Sequence, residues 1–370
     1  MRIGFHSPMP PARTGVADYS AALLRALSRH EPDFARRLAV NPTAPCDLEI
    51  YHSGNNGLHT AIHQAMRTNP GVTVLHDAVL HHFFLGAGNE TEYANEFVSN
   101  YGDWHRGLAA RFWRRRAASG GDPEYFRYPM LRGVVGNARL VIAHNAAAAR
   151  AAREHGAGTV EILPHLFEAP EIDSVATARV RERFAGAALV CGVFGHLRET
   201  KRLIPAAQAV EAVRKRGFDM RLVAAGEFAS DDLARAAAPW LARDWIVRLP
   251  YLDERDFWTW AAAVDVCINL RYPAAGETSG IGIRVMGIGK CVIATAGEET
   301  AAIPDNACLR AEPGLGENES LEALLLLLAD RPDYARQTGV AARAHIAREH
   351  SAAAVTRRFR ELIEAVSPAP

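Results

Sequence analysis

Three short constellations carry the residue types that do chemistry, and each opens where an apolar run ends. The first is Gly192-Val-Phe-Gly195-His196-Leu-Arg198-Glu-Thr-Lys201-Arg202. Arg198 and Lys201 lie three apart at a predicted helix start. Both can therefore reach one diphosphate, arginine through its planar fork and lysine as a point charge. The plainer reading is a solvated basic helix start, which the positive end of the helix dipole disfavours. Lys201 is also one of only three lysines in the chain, with Lys215 and Lys290.

The second constellation is Asn269-Leu-Arg-Tyr-Pro-Ala-Ala-Gly-Glu277-Thr278-Ser279-Gly280. A strand ends, a glycine-bearing turn follows, and a helix begins near Ser279 or Gly280. Its first backbone N–H groups lack partners and sit at the positive end of the dipole, so a phosphate fits. Glu277 can accept hydrogen bonds from sugar hydroxyls. The same residues also make an ordinary cap, with Thr278 or Ser279 as N-cap and Glu277 steadying the first turn. The segment alone leaves both readings open.

The third is Val74-Leu-His76-Asp77-Ala-Val-Leu-His81-His82. His76 and Asp77 stand just past a strand, where a neutral imidazole and a carboxylate can contact sugar hydroxyls or take a proton. His76, Asp77, His81 and His82 raise the question of a metal, but their spacing matches no familiar ligand motif. No metal is expected, and His81 and His82 read as satisfied structural histidines.

The elements that must position these groups alternate regularly. Apolar runs at Arg2 to His6, Leu48 to His52, Val72 to His76, Leu140 to His144 and Val160 to Leu163 read as strands, separated by helical patterns. The pattern restarts with strands at Ala188 to Phe194, Met220 to Ala225, Trp245 to Leu249, Val264 to Leu270 and Val292 to Thr295. Strands alternating with helices make parallel sheets covered on both faces. The fold expectation is therefore α/β, with two Rossmann-like domains whose parallel sheets face across a cleft. Pro164 to Asp173 reads as the linker, giving an N-terminal domain over 1–168 and a C-terminal domain over 169–350. A closing helix over 351–370 is expected to cross back and pack on the N-terminal domain.

Ligands of such sheets bind beyond the carboxyl ends of the strands. Gly15, His52, Asn55, His76-Asp77, His144, Gly195, Gly226-Glu227 and Glu277 all fall there. A net charge of zero removes any global field for nucleic acid or an anionic membrane. An apolar share of 49% supplies a large core. Five cysteines without a C-x-x-C pair read as free thiols in a reducing compartment. One local basic run remains, Arg111-Phe-Trp-Arg-Arg-Arg116. It reads either as a solvated helix face with one buried aromatic edge or as a contact for a membrane or an anionic acceptor.

Taken together, these segments resemble the family-4 glycosyltransferases of the GT-B fold over nearly the whole chain. Ser7-Pro-Met-Pro-Pro-Ala-Arg-Thr-Gly15-Val-Ala-Asp18-Tyr19-Ser is similar to the family's first strand, glycine loop and helix. Tyr51-His-Ser-Gly54-Asn55 and the His76-Asp77 segment resemble motifs of a bacterial subgroup with the same opening. Arg198 and Lys201 match the paired basic residues on the donor diphosphate. Glu277 to Gly280 and the run to Gly289-Lys290 look like the donor-site loop and helix. Many members carry two glutamates separated by seven residues, the second binding ribose. Here that place falls on Val285, or on Arg284 when Gly289 is aligned.

The resemblance implies a bacterial, retaining, metal-independent hexosyltransferase with no cofactor. Its co-substrate would be a UDP- or GDP-linked sugar, and its acceptor a glycan, a lipid-linked species or a small molecule. Glu277, His76 and Asp77 are its expected catalytic residues. Gly15, Gly195, Arg198, Lys201, Gly226, Glu227, Thr278, Ser279 and Gly280 are expected to bind donor, and His52, Asn55 and His144 to lie on the acceptor side. The expected place is the cytoplasm, or the inner face of the membrane through Arg111 to Arg116, with no nucleic-acid partner. A catalytically silent sugar-nucleotide binder and a GT-B sugar-nucleotide epimerase are the alternatives.

Overall fold

The computed structural model describes residues 1–367. They form two six-stranded, wholly parallel sheets with helices packed on them. Contacts divide the chain into two compact units. The first comprises Met1–Leu166, the short segment Ala274–Thr278 and the chain from His350 onward; the second comprises Phe167–Pro273 and Ser279–Glu349.

In the first unit the strands are β1 (Ile3–His6), β2 (Leu38–Val40), β3 (Leu48–Ser53), β4 (Val72–Leu75), β5 (Leu140–Ala143) and β6 (Val160–Ile162), in spatial order β2-β1-β3-β4-β5-β6. Side chains alternate across the sheet, as pleating requires. Val72, Val74, Leu140 and Ile142 face one core with Ile3, Phe5, Leu23 and Leu27. Leu75, Val141 and Ala143 face the other with Phe83, Phe97 and Phe112. The closing helix Ala352–Ala365 puts Val355, Phe359, Leu362 and Ile363 into the first of these cores.

In the second unit the strands are β7 (Leu189–Phe194), β8 (Met220–Ala225), β9 (Ile246–Leu249), β10 (Val266–Asn269), β11 (Cys291–Thr295) and β12 (Leu309–Ala311). Their spatial order is β12-β11-β10-β7-β8-β9. From β9 inward this is the doubly wound dinucleotide-type order, in which the winding reverses between β7 and β10. Leu189, Cys191 and Val193 point to one face, Val190 and Phe194 to the other. Both faces are covered, which is why the strands read as continuous apolar runs.

Two of the four edge strands, β2 and β12, were not among the expected strands. Each has three residues and is partly exposed at one or more positions, too short for a period to show. The α-helix after β7 begins close to its expected start near Arg202, but the residues before it do not form a helix start that carries both cations. Arg198 precedes a single 3-10 turn, Glu199–Lys201, and Arg202 adopts left-handed backbone (φ 57°) before the α-helix Leu203–Lys215 begins. Arg198 and Lys201 therefore stand on a loop and a tight turn, not on one helical face. Cys191, Cys267, Cys291 and Cys308 are buried free thiols. Among the described residues no helix is long and apolar enough to cross a membrane.

Candidate active site

The second unit's site is built on the ends of β7, β8 and β10. Phe194 pairs in register with Ala225, so Gly195 and Gly226 leave the sheet side by side. Gly226 has φ +137°, and a Cβ there would lie 2.0 Å from the Gly195 carbonyl oxygen. Only glycine permits that approach. Replacing Gly226 with alanine is expected to cost at least about 2 kcal/mol of stability. Urea unfolding of the variant measures it, and an unchanged midpoint would show that the two turns can separate freely.

Beneath this pair lies Lys201, only 6% exposed, with its ammonium donating to the Phe194 carbonyl. A Cβ on Gly195 would meet the Lys201 Nζ at 2.9 Å. Arg198 and His196 are exposed beside it. Partial desolvation first, then the Arg198 and Lys201 charges, push the His196 imidazole below its usual range, so both cations act on one place. The β7 and β8 turns are tied by Leu197 N–H to the Glu227 carbonyl (2.7 Å) and Ala229 N–H to the Leu197 carbonyl (2.8 Å). Glu227 itself is exposed.

Across the switch point, beyond β10, the helix Gly280–Gly287 starts at Ser279. The Ser279 hydroxyl accepts from Gly282 N–H (3.2 Å) and donates to Asn269 Oδ1 (3.0 Å). It is thus the N-cap, settling the choice between Thr278 and Ser279. An Arg271 guanidinium nitrogen reaches the same hydroxyl at 3.2 Å. Sequence reasoning did not single out Arg271, yet it adds a cation at this helix start.

Ala274–Thr278, including Glu277, belongs by its contacts to the first unit. Ala78 N–H donates to the Ala275 carbonyl (2.8 Å), and Asn145 Nδ2 donates to the Gly276 carbonyl and the Thr278 hydroxyl (2.9 Å each). Gly276 sits at φ +71°, and a Cβ there would lie 2.6 Å from that of Ala78. Glu277 folds back so that its Oε2 accepts from Ala275 N–H at 2.9 Å. Asn145 also caps the helix Ala146–Glu154.

The other first-unit candidates cluster where parallel register brings strand ends level. His52 pairs in register with Val74, while His76 and His144 immediately follow β4 and β5. His52 Nδ1 lies 2.9 Å from His76 Nε2. Two residues that sequence reasoning missed complete the group. Tyr19, from the helix Gly15–His30, sets its ring 4.9 Å from His76, 5.1 Å from His144 and 4.8 Å from His165. His165 arrives from the stretch read as linker. Burial pushes His52, His76 and His165 well below the usual imidazole range and His144 down to about 4, so these rings are neutral at pH 7. Burial likewise raises the Tyr19 phenol. The Tyr19 hydroxyl, His52 Nε2 and His144 Nε2 are buried without a hydrogen-bond partner among the described residues. Each such atom costs about 1–3 kcal/mol, the pattern of a place built for a ligand.

Several other candidates have structural partners. Asp77 Oδ2 accepts from Asn55 N–H (2.9 Å), and the Asn55 side chain accepts from Phe83 N–H (2.7 Å). His81 bonds the Tyr125 carbonyl (2.8 Å) and the Tyr93 hydroxyl (2.7 Å), which occupies both ring nitrogens. Gly15 opens its helix, and a Cβ placed on it would meet nothing within 4 Å, so the protein itself imposes no close approach there. In the basic run, Phe112 is buried and Arg111 and Arg115 pair with Glu124 and Asp122. Of the two places for a second glutamate, Val285 is fully buried core. Arg284 lies over Phe257 and Trp258 and pairs with Glu254 at 2.6 Å.

No protein-family model matches the chain, and no curated protein matches it in sequence. Its fold matches solved structures over almost their full lengths. The Anabaena protein Alr3699/HepE, solved in complex with UDP-glucose, aligns with TM-score 0.66 at 14% identity, covering 99% of this chain and 100% of that one. Sucrose-phosphate synthase from Thermosynechococcus elongatus aligns with TM-score 0.67 at 12% identity, covering 99% of each chain. A glycosyltransferase from Rickettsia africae aligns with TM-score 0.60 at 11% identity, covering 99% and 98%. The chain thus has the α/β GT-B fold of these structures.

Proposed function

We propose that the chain is a glycosyltransferase that moves a sugar, with retention at its anomeric carbon, from a nucleotide-diphosphate sugar to an acceptor hydroxyl. The observation that carries this reading is the placement of two anion-accepting turns on either side of the β7/β10 switch point. One bears the buried Lys201 with Arg198, the other the Ser279-capped helix start with Arg271. Doubly wound sheets bind nucleotide phosphates at that location. The fold shared with a protein solved with UDP-glucose supports a uridine donor as the first to test, with a guanosine donor as the second.

In this reading Lys201, Arg198 and the helix start take up the charge that develops on the departing diphosphate, as preorganised electrostatic catalysis without a metal on the phosphates. The bond from the anomeric carbon to the phosphate oxygen breaks as the acceptor oxygen attacks on the same face. The acceptor proton passes to the leaving diphosphate. Glu277, held by Asn145 and Ala78, positions the donor sugar, and neutral His76 and Asp77 meet its hydroxyls. Gly15, Gly195, Gly226, Glu227 and Thr278 line the donor's path; His52, Asn55 and His144 lie on the acceptor side. The enzyme works in the cytoplasm on precursors of cell-surface glycans or glycoconjugates.

The test is release of nucleoside diphosphate from a panel of UDP- and GDP-sugars, with crude cell extract as acceptor source. Release with at least one donor is expected. Binding without release from any donor would favour a silent sugar-nucleotide binder instead, and interconversion of the free sugar nucleotide would favour an epimerase.

A further inference from the structure

The cluster around His144 has the makings of a metal site made of imidazoles alone. One ring nitrogen each of His76, His144 and His165 lies within 4.8 Å of the other two. Three atoms so placed fall within about 2.8 Å of a common point, and side-chain shifts of under about 1 Å bring them to the roughly 2.1 Å of a zinc–nitrogen bond. The His144 ring is already set for this. Its Nδ1–H donates to the Leu163 carbonyl at 2.8 Å, which leaves the lone pair on Nε2. That Nε2 is buried with no hydrogen-bond partner among the described residues. A metal-bound histidine is ordinarily oriented by just such a carbonyl. His52 does the same for the second ring through the 2.9 Å contact with His76. Tyr19, packed against all three rings, shields the place with an apolar wall.

We propose that His76, His144 and His165 bind one divalent transition-metal ion of the Zn2+ class and that its binding inhibits sugar transfer. The donor set is nitrogen only and offers no carboxylate, so it selects Zn2+, Co2+, Ni2+ or Cu2+ over the oxygen-seeking Mg2+ and Ca2+. Three protein ligands leave a fourth position open to water or another small ligand. The ion sits among neutral imidazoles and is not a diphosphate counter-ion. Inhibition, unlike binding, rests on the transferase reading above, because it follows from taking His76 away from the donor sugar.

The experiment uses the full chain stripped with chelator and titrated with Co2+, following the visible d–d bands of a nitrogen-ligated site, then with Zn2+ to displace it. One equivalent is expected to bind. His165→Ala, at a partly exposed position that leaves the core intact, and His144→Gln should each weaken binding about 100-fold. His30→Ala, on the exposed end of its helix, should leave it unchanged. Circular dichroism confirms that each variant is folded. No d–d bands, or bands that survive His165→Ala and His144→Gln together, overturn the site. Zn2+ is then added to the nucleoside-diphosphate release assay. Site-specific binding without inhibition upholds the metal site and overturns the place of His76 in transfer. Inhibition lost in His165→Ala supports both.

Discussion

Lys201→Met slows nucleoside-diphosphate release on the order of 100-fold or more, while Arg198→Ala slows it less. The reason lies in burial. Lys201 is only 6% exposed, and its ammonium is fixed at the end of β7 by the Phe194 carbonyl. A cation held there acts through a low effective dielectric and needs no reorganisation as charge develops, so its loss raises the barrier by a few kcal/mol. Arg198 is exposed, and water screens part of its effect. Methionine keeps the length and bulk of the lysine stem, so the comparison removes charge without opening a cavity. A packing role alone would lower stability and spare turnover per folded molecule. The decisive reading is therefore the rate at saturating donor, with circular dichroism confirming the fold. Unchanged rates in both variants would sink the diphosphate assignment, because no other part of the β7 turn carries a buried cation.

The strands were legible because both sheets are covered on both faces, so each strand is a short apolar run closed by a glycine or a polar residue. What escaped was short or long-range. Leu38–Val40 and Leu309–Ala311 are three-residue edges; the first is followed by Asn41 (φ 45°), whose side chain holds the Ser7 backbone at 3.0 Å. The turn after β7 is less regular than its residues suggest, since nothing in Arg198-Glu-Thr-Lys201 announces that Arg202 takes left-handed backbone. Glu277 was legible as a carboxylate at a strand end, but its loop is attached to Asn145 across separations of 131 and 133 residues, which no local pattern records. His165 lay in a stretch without periodicity, and only the parallel register brings it beside His76 and His144. The place of the second glutamate shows the same limit. Arg284 there does not leave the region without a carboxylate, because Glu254 comes to it from the helix Glu254–Ala263, a pairing invisible in either segment alone.

Acidification from pH 7 to pH 5 is expected to lower the stability of the first unit by about 6 kcal/mol. Three of its histidines outside the Tyr19 cluster are buried and neutral. His59, beside Asn56, is lowered to about 4 by burial. His63, packed on Phe83 and bonded to Ser53, is lowered to about 3 by burial and then by His59 and Arg67. His81, between Tyr93 and the Tyr125 carbonyl, is lowered to about 3 by burial and then by His82. In the unfolded chain each imidazole takes a proton near pH 6.5. Between that value and its folded value the unfolded state holds more protons, so stability falls as pH falls. By pH 5 each ring has withdrawn about 2 kcal/mol, or about 6 kcal/mol for the three, within the 5–15 kcal/mol that a domain typically has. The depressed carboxylates Asp173, Glu211 and Asp219 cannot produce this, since they lie in the second unit and their contribution is lost only on approach to the lower carboxylate range. Urea unfolding at pH 7, 6 and 5, with a His63→Gln variant alongside, measures the effect. The wild-type midpoint should fall steeply below pH 6.5, and the variant should lose about one ring's share of that slope. An unfolding free energy that stays level across this range would mean that these rings are protonated in the folded chain, and that the polar pockets around His59, His63 and His81 admit water.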